Sequence, residues 1–356
     1  MTEDPQKDGV ATVAETVEFG SPAEVAAAIA AGNWNPKLLA DEDYDRRKYI
    51  GGSNAAAIMG VGATYDGVTA TAVGVYNAKI AEVSAEMDPE KKKFLERRKR
   101  WEPVVFQMLR EELDVEVVST NLRYVDPYLP FLAAEIDFEW RDEDGSIQNG
   151  EVKTVTPFAF GERHGWGEAG SSDVPIYYEA QVHHGLSVMG RRKCILAAMV
   201  GLDGMVFYRI DRNEGLIYEM RKREAIFWRN CVLKKVPPDP QTLGDLRVLF
   251  PTSNGLAVEG SSEIGSKALS LRALRGQIAA LEMQRDSFEF DVKLALRSYE
   301  ILTVDGRKIF TWKDQATTSF EASKLKASEI KEERDIYRKY LKKGSARVFK
   351  GASWND

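Results

Sequence analysis

The sequence has 356 residues and 44% hydrophobic content, enough for a substantial core and for one or two domains. No apolar run approaches the length of a membrane span, and the N-terminal MTEDPQKDGV lacks the pattern of a secretion signal, so we expect a cytoplasmic protein without membrane association. Two cysteines and three histidines argue against a disulfide scaffold, a four-cysteine zinc site or an iron–sulfur cluster, so any metal is expected to have oxygen ligands.

The net charge of −6 is unevenly distributed along the chain. Residues 1–45 hold ten acids and two lysines, a balance of −8, so the remaining 311 residues carry +2. The segment KKKFLERRKR at 91–100 alone contains seven bases and one acid. Such a run indicates either phosphate binding or a solvated helix face, and the run by itself leaves both interpretations open.

The acidic, Ala- and Gly-rich residues 1–40 predict a flexible leader, and the body of the protein is predicted over 41–236. GGSNAAAIMG at 51–60 predicts a glycine turn followed by a short helix with Ser53 as its cap. Residues 90–114 predict one long amphipathic helix, which Pro103 should bend near Glu102.

Strand and helix patterns alternate through the rest of the body. PFLAAEIDFEW at 130–140 and IQNGEVKTV at 147–155 flank the turn RDEDGS and predict a β-hairpin. A helix is predicted over 171–190, then two short core strands in KCILAAMVG and GMVFYRI, then a helix over 213–236. Helices that flank a mixed sheet give an α/β fold.

The C-terminal third predicts a linker over 237–265, rich in Pro, Gly and Ser, and a helical arm over 266–356. From Leu271 to Tyr299, apolar residues recur at alternating spacings of three and four, with Arg285 as the only polar member of the series. This pattern predicts about four heptads of coiled-coil-like helix. A hairpin with a DG turn follows, and we expect the arm to pack on itself or on a partner.

Glu151 and Lys153 lie two residues apart in the second strand of the predicted hairpin. Because strand side chains alternate between faces, both point to one face while Val152 points to the other. Asp137 on the preceding strand is expected opposite Glu151 on that face. Two carboxylates are costly to bury together unless a cation neutralises them, so the pattern predicts a Mg²⁺ site formed by Asp137, Glu151 and the Val152 carbonyl. A structural salt-bridge network remains the alternative.

In the catalytic interpretation, Lys153 orients or helps deprotonate the attacking water, while one or two cations stabilise the charge that develops on a phosphodiester. His183 and His184 are adjacent on a helix and point about 100° apart, so they are not expected to chelate one ion. We interpret both as surface or DNA-facing residues, and Tyr177 and Tyr178 as core or groove wall.

Four blocks occur in an order and spacing that resemble those of the YqaJ-type viral recombinases, the group that includes phage lambda exonuclease. The blocks are YIGGSNAAAIMG, RRKRWEPVVFQML, AAEIDFEW with GEVKT, and VPIYYEAQVHHGLSVMG, and the resemblance covers about residues 44–235. It implies a PD-(D/E)xK, restriction-endonuclease-like core with a mixed central sheet flanked by helices. It also implies a 5′→3′ exonuclease that degrades linear double-stranded DNA with Mg²⁺, for which Mn²⁺ substitutes.

The resemblance also implies roles for the residues that match the family's motifs. Asp137 and Glu151 correspond to metal ligands, and Lys153 corresponds to the catalytic lysine. Glu102 matches a helix-borne acid near the second metal. Gln181 matches a glutamine that helps to hold the nucleophile and the active-site lysine.

The same comparison implies a site for the 5′ phosphate of the digested strand. Ser53 and Arg46 match a serine and an arginine that contact this phosphate, and Arg47 competes with Arg46 for that role. Two residues depart from the family pattern. Asn54 stands where many relatives carry Asp, which is compatible with a neutral change of helix cap, and Glu135 replaces a serine and adds negative charge close to DNA.

The partners that the resemblance implies are double-stranded DNA ends, a single-strand annealing protein that uses the 3′ tails in recombination, and further copies of the chain in a homotrimer. A phage or prophage in a bacterial host is the implied origin. Two other functions stay open: a non-catalytic DNA-binding or assembly protein on the same fold, and an endonuclease of the same superfamily. The complete set of site residues favours an enzyme, because a non-catalytic relative has no need of all of them.

Overall fold

The computed structural model describes residues 22–65, 68–82, 89–201, 204–314 and 329–340. The chain divides into two compact units, Met1–Leu249 and Phe250–Asp356. Among the described helices, none is both long enough and apolar enough to cross a bilayer.

The first unit contains eight described α-helices and eight described strands. The helices are α1 (Pro22–Ala30), α2 (Gly52–Ile58), α3 (Ala72–Ile80), α4 (Pro89–Lys99), α5 (Glu102–Leu113), α6 (Ile176–Met189), α7 (Glu214–Ile226) and α8 (Leu243–Leu249). The strands are β1 (Lys37–Leu38), β2 (Thr64–Tyr65), β3 (Val68–Thr69), β4 (Glu116–Val125), β5 (Ala133–Arg141), β6 (Ile147–Val155), β7 (Lys193–Val200) and β8 (Gly204–Asp211).

Six of these strands form one mixed sheet in the order β1-β4-β5-β6-β7-β8. β6 and β7 run parallel, and the other neighbouring pairs are antiparallel. Parallel neighbours need a crossover connection, and here α6 lies in the segment that joins β6 to β7. The predicted α/β class, with a mixed central sheet flanked by helices, is therefore confirmed.

Helices cover both faces of the sheet. On one face, Phe138 and Ile195 pack with Val105 and Leu109 of α5. On the other face, Leu196 packs in a cluster with residues of α6 and with the buried Trp166. Because β7 is buried on both faces after the exposed Lys193, its remaining sequence CILAAMV is continuously apolar and shows no alternation.

The helix predicted over 90–114 is two helices, α4 and α5, separated at Arg100 and Trp101. Pro103 occupies the first turn of α5, where its missing N–H leaves no hydrogen bond unmade, so it marks a helix start and not a bend.

The described part of the predicted leader, from residue 22, is structured. β1 pairs with β4, and the buried Trp34 donates its indole N–H to the Val188 carbonyl at 2.9 Å. The predicted linker also contains a helix, α8, whose buried Asp245 accepts a hydrogen bond from the Thr71 hydroxyl at 2.6 Å. Both segments contribute contacts to the first unit.

The second unit contains the long helix α9 (Ser262–Leu296), the strands β9 (Ile301–Val304) and β10 (Arg307–Thr311), and α10 (Lys331–Tyr340). β9 and β10 form the predicted hairpin. Asp305 and Gly306 both have positive φ, at 50° and 74°, as a tight two-residue hairpin turn requires. The part of the predicted charged helix outside 329–340 lies outside the described residues.

Candidate active site on the β5–β6 hairpin

The predicted pair of carboxylates lies where the β5–β6 ladder ends. The last paired residues are Phe138 and Gly150, so the next positions along the two strands are Asp137 and Glu151. In place of a ladder bond, the Val152 N–H donates to Asp137 Oδ2 at 2.8 Å. The predicted register is thus observed, and the aspartate is fixed against the backbone that follows Glu151.

Gly150 is required by this arrangement. A Cβ built at that position would lie 2.2 Å from the ring of Phe138, a distance that no side chain tolerates. The glycine therefore lets Phe138 cross above β6 into the core, which leaves the neighbouring Asp137 and Glu151 on the opposite face.

Lys153 and Gln181 complete a closed hydrogen-bonded network with Glu151. Lys153 Nζ donates to Glu151 Oε1 and, at 2.9 Å, to Gln181 Oε1. Gln181 Nε2 in turn donates to Glu151 Oε1 at 2.6 Å. Lys153 Nζ also lies 5.0 Å from the ring centroid of Tyr178. α6 thus supplies both a polar clamp and an aromatic wall to the two strands.

The electrostatics of the site favour a bound cation. Burial, and then the charge of Glu151, raise the pKa of Asp137 well above its usual value, against the opposing effects of Lys153 and the Val152 N–H. Two carboxylates in such surroundings repel each other until a positive ion lies between them.

The donors present fit Mg²⁺. Asp137, Glu151 and the Val152 carbonyl supply hard oxygen ligands, and Mg²⁺ commonly takes one or two carboxylates while water and substrate phosphate complete its octahedron. Within the described residues, no three His, Cys, Asp or Glu side chains cluster closely enough to hold an ion without such additional ligands.

Glu102 lies at the periphery of this group. It is the first residue of α5, it accepts a hydrogen bond from Asn121 Nδ2 at 3.2 Å, and its charge contributes weakly to the raised pKa of Asp137. The structure thus places Glu102 near the carboxylate pair but outside its direct contacts, and its role at a second cation stays a prediction.

A cavity of about 110 Å³ opens beside the carboxylates. Its lining includes Asp137, Glu151 and Gln181 on one side and Arg46 and Ser53 on the other. The sequence placed these five residues in two separate predicted roles, and the fold brings them to one cavity.

A close helix contact positions Ser53 at this cavity. A Cβ at Gly52 would lie 2.9 Å from Cγ of Gln181, so glycine allows α2 to approach α6 closely. Asn54 accepts the Gly51 N–H at 3.3 Å, as the helix-cap interpretation of this departure predicts.

The structure distinguishes Arg46 from Arg47. Arg47 forms an ion pair with Asp45 at 2.8 Å and donates to the carbonyls of Ala81 and Glu82, the latter at 2.5 Å. Arg46 lines the cavity, whereas Arg47 is not among the residues that line it. Of the two arginines, Arg46 is therefore the one placed to reach a ligand there.

Lys79 is a cavity residue that the sequence analysis did not single out. Its Nζ donates to the Arg46 carbonyl at 2.6 Å and to Asn54 Oδ1 at 2.9 Å. Burial, and then the positive charge of Arg46, lower its pKa to about 8. No local pattern marks Lys79, because its contacts reach 25 and 33 residues back along the chain.

Glu135, the second departure from the family pattern, also lines the cavity. Arg123 donates to its carboxylate at 2.9 Å, and Lys99 at the end of α4 lies 3.9 Å from the same oxygen. The added acid is therefore compensated locally, and the contact brings the basic helix α4 to the rim of the cavity.

The prediction that the two histidines are surface or DNA-facing residues is wrong. His183 and His184 are both buried, with exposed fractions of 2% and 0%. His184 Nδ1 contacts Glu224 Oε1 at 2.7 Å and its Nε2 contacts the Ala133 carbonyl at 3.0 Å, so the residue ties α6 to α7 and β5. Polar partners on neighbouring elements allow the burial, and the sequence of α6 alone does not reveal them.

Comparison with known proteins finds a family model that matches the part of the chain that holds this site. Residues 44–192 match the YqaJ-like viral recombinase domain. The recognition made from the four sequence blocks is confirmed. This matched segment contains every residue that the sequence predicted for the site, from Arg46 to Gln181.

Relatives extend beyond the YqaJ-like domain. The chain is 25% identical over 325 residues to the uncharacterized protein YqaJ of Bacillus subtilis (strain 168), which covers 88% of this chain and 95% of that protein. Among solved structures it is similar to LHK-Exo, an alkaline exonuclease from Laribacter hongkongensis. The complex of LHK-Exo with dAMP aligns at 16% identity and a TM-score of 0.41, and a second structure at 14% and 0.39. Each alignment covers 54% of this chain and 91% of the other.

Proposed function

We propose that the protein is a Mg²⁺-dependent exonuclease that degrades linear double-stranded DNA from the 5′ end and leaves 3′ single-stranded tails for recombination. The observation that carries the proposal is the convergence of Asp137, Glu151, Lys153 and Gln181 beside a cavity that Arg46 also lines. The match of residues 44–192 to the YqaJ-like viral recombinase domain supports a role in recombination.

Each residue of the network has a distinct task in phosphodiester hydrolysis. Asp137, Glu151 and the Val152 carbonyl would hold Mg²⁺, which when bound supplies positive charge to the phosphate as negative charge develops on its oxygens. Lys153, oriented by Glu151 and Gln181, would orient the attacking water or stabilise the phosphate oxygen with its positive charge. Gln181 prevents Lys153 from turning away, because it bonds to both partners of the ion pair.

The cavity gives the proposed enzyme its preference for a DNA end. Arg46, Ser53 and Lys79 provide two positive charges and a hydroxyl, a set that suits a terminal phosphate better than an internal one. An end held there would place the adjacent phosphodiester near the carboxylates. The basic helix α4, which reaches the rim through Lys99, would contact the duplex behind the end. A single-strand annealing protein is the proposed user of the tails.

The adjacent arginines offer a matched test of the cavity. Digestion of linear duplexes with 5′-phosphate or 5′-hydroxyl ends is compared in the wild type, Arg46→Ala and Arg47→Ala. Arg46→Ala should slow digestion of phosphorylated ends by about tenfold, the usual effect of one lost charge-assisted hydrogen bond, and should affect hydroxyl ends little. Arg47→Ala should lower thermal stability and keep the preference. Equal slowing on both kinds of end in Arg46→Ala would contradict the phosphate site.

The same assay separates the alternatives. A covalently closed circle should survive, and its cleavage would show an endonuclease. Tight binding of linear DNA without release of nucleotides would instead favour a non-catalytic DNA-binding protein.

A further inference from the structure

The helix α9 of the second unit carries many apolar side chains that are exposed to solvent. It runs for 35 residues, and Leu296 is its only buried residue among those described. Leu274 and Ile278 are each 54% exposed and Phe288 is 68% exposed. Most of the stability of a helix in a protein comes from packing of its apolar face. A large contiguous apolar surface that is exposed marks an interaction surface.

Most of the apolar residues that recur along α9 form a seam with heptad spacing, while Leu269, Met283, Phe290 and Leu294 are exposed outside it. From Ile264 to Ala295 the spacing alternates between three and four without interruption, with Lys267 and Arg285 as the polar members. A seam with this spacing packs against another helix by interdigitation of side chains. The partner is therefore expected to be a helix of similar length.

The distribution of charge along α9 indicates which helix is its partner. Residues 262–279 carry three bases and one acid, whereas residues 280–296 carry four acids and two bases. A parallel pair of such helices would set like charge against like, and an antiparallel pair sets the basic half of each helix against the acidic half of the other. We propose that α9 pairs antiparallel with α9 of a second copy of this chain.

The seam defines one register in which the two helices overlap over their whole length. Ile278 then meets the partner's Leu281, and Leu271 meets the partner's Phe288. The seam is symmetric about the point between residues 279 and 280, and the midpoint of Ser262–Leu296 is residue 279. In this register six of the eight apolar seam positions meet an apolar position of the partner, while Leu274 meets the partner's Arg285 and Val292 meets the partner's Lys267.

The residues beside the seam support the same register. Arg275 follows Leu274, and Glu282 follows Leu281, so both occupy the same flanking position. In the antiparallel pair, Arg275 faces the partner's Glu282, and the two-fold axis repeats this ion pair. Arg275 and Glu282 are two helical turns apart within one chain, which is too far for the i,i+3 or i,i+4 pairs that form along a single helix.

The hairpin leaves space for the partner. β10 and the C-terminal half of the seam enclose an apolar groove of about 700 Å³. Its walls include Leu281, Phe288, Val292, Leu296, Phe310 and Trp312. The N-terminal half of the partner's helix, with its leucines, would fill this groove.

Sedimentation of the full-length protein over a range of concentrations tests the pairing. Arg275→Glu and Glu282→Arg should each replace two attractive contacts with two repulsive ones, which weakens association by about tenfold or more and halves the average mass at intermediate concentration. The double variant carrying both changes should regain wild-type association, because the pair is restored with its charges exchanged. Arg272→Glu, an equal charge change on the outward face, should associate as the wild type does.

A wild type that remains monomeric at all concentrations would overturn the proposal, as would association that the single variants leave unchanged. Failure of the double variant to recover, with the helical circular dichroism of both single variants preserved, would overturn the antiparallel register. If the catalytic domains also assemble through another surface, the average mass of that larger assembly is the value that the single variants should halve. DNA cleavage itself is not expected to change.

Discussion

Asp137→Asn is the perturbation that most clearly separates stability from catalysis at this site. Asparagine has nearly the same shape and keeps an oxygen that can accept the Val152 N–H, which in the wild type lies 2.8 Å from Oδ2. The change therefore removes one negative charge beside Glu151 with little effect on packing. In the absence of divalent cations we expect the variant to be more stable than the wild type.

The magnitude follows from the geometry. Residues directly opposite on antiparallel strands have Cβ atoms about 5 Å apart, and at an effective dielectric constant of about 20 two such charges repel by about 3 kcal/mol. The positive charge of Lys153 reduces this repulsion, so a gain of about 1–2 kcal/mol in the free energy of unfolding is expected. For a domain of this size, that corresponds to a rise of about 2–8 °C in Tm.

The pH dependence has a definite sign. Because the folded-state pKa of Asp137 is raised above the ordinary value of 3.8, the protein binds this proton more tightly when folded. Its contribution is fully present below pH 3.8 and is lost as pH rises through the raised pKa. The stability advantage of Asp137→Asn should therefore be absent in acid and should grow towards neutral pH.

Thermal unfolding in EDTA at a series of pH values measures this advantage, and a nuclease assay in Mg²⁺ on the same preparations measures activity. We expect a more stable protein with no detectable cleavage, and Mg²⁺ should raise the Tm of the wild type more than that of the variant. A variant that is less stable at neutral pH, or that still digests DNA, would refute the reasoning.

Three further predictions follow from individual contacts. Lys153→Met should fold normally, as circular dichroism would show, and should cleave DNA at least about a hundredfold more slowly. Digestion at a near wild-type rate would show that Lys153 has no catalytic role. Wild-type affinity for 5′-phosphorylated ends should fall as pH rises above about 8, because Lys79 loses its proton there, whereas Lys79→Met should bind about tenfold more weakly with a flatter pH profile in fluorescence anisotropy. An unchanged profile would argue against Lys79 as a phosphate contact. Gly150→Ala should destabilise by about 3 kcal/mol in denaturant titrations, since the new Cβ would lie 2.2 Å from Phe138; an unaffected midpoint would contradict the packing described.

The sequence predicts the parts of the fold that local patterns encode. The alternation in β5 and β6, with the turn between them, was enough to place Asp137 opposite Glu151, because strand periodicity and hairpin register are local properties. The break between α4 and α5 was missed for a related reason. Pro103 is compatible both with a bend inside one helix and with the first turn of a new helix, and the sequence alone does not decide between them.

Features that depend on distant contacts could not be predicted. Lys79 is held at the cavity by hydrogen bonds to the Arg46 carbonyl and Asn54. His184 is buried because it forms hydrogen bonds with Glu224 and the Ala133 carbonyl. Residues 22–38 looked like a leader by composition, yet Trp34 finds its partner at Val188. In each case the decisive partner lies on another element, and composition carries no information about it.

Above all, we propose that the Asp137–Glu151–Lys153 group cleaves DNA from a 5′ end with Mg²⁺. The release of acid-soluble nucleotides from linear duplex DNA, labelled at the 5′ or at the 3′ terminus, in Mg²⁺ or in EDTA, tests this activity. The account predicts that the 5′ label leaves first, only with Mg²⁺, and that Lys153→Met releases neither label. Release of the 3′ label first, or equal release in EDTA, would contradict it.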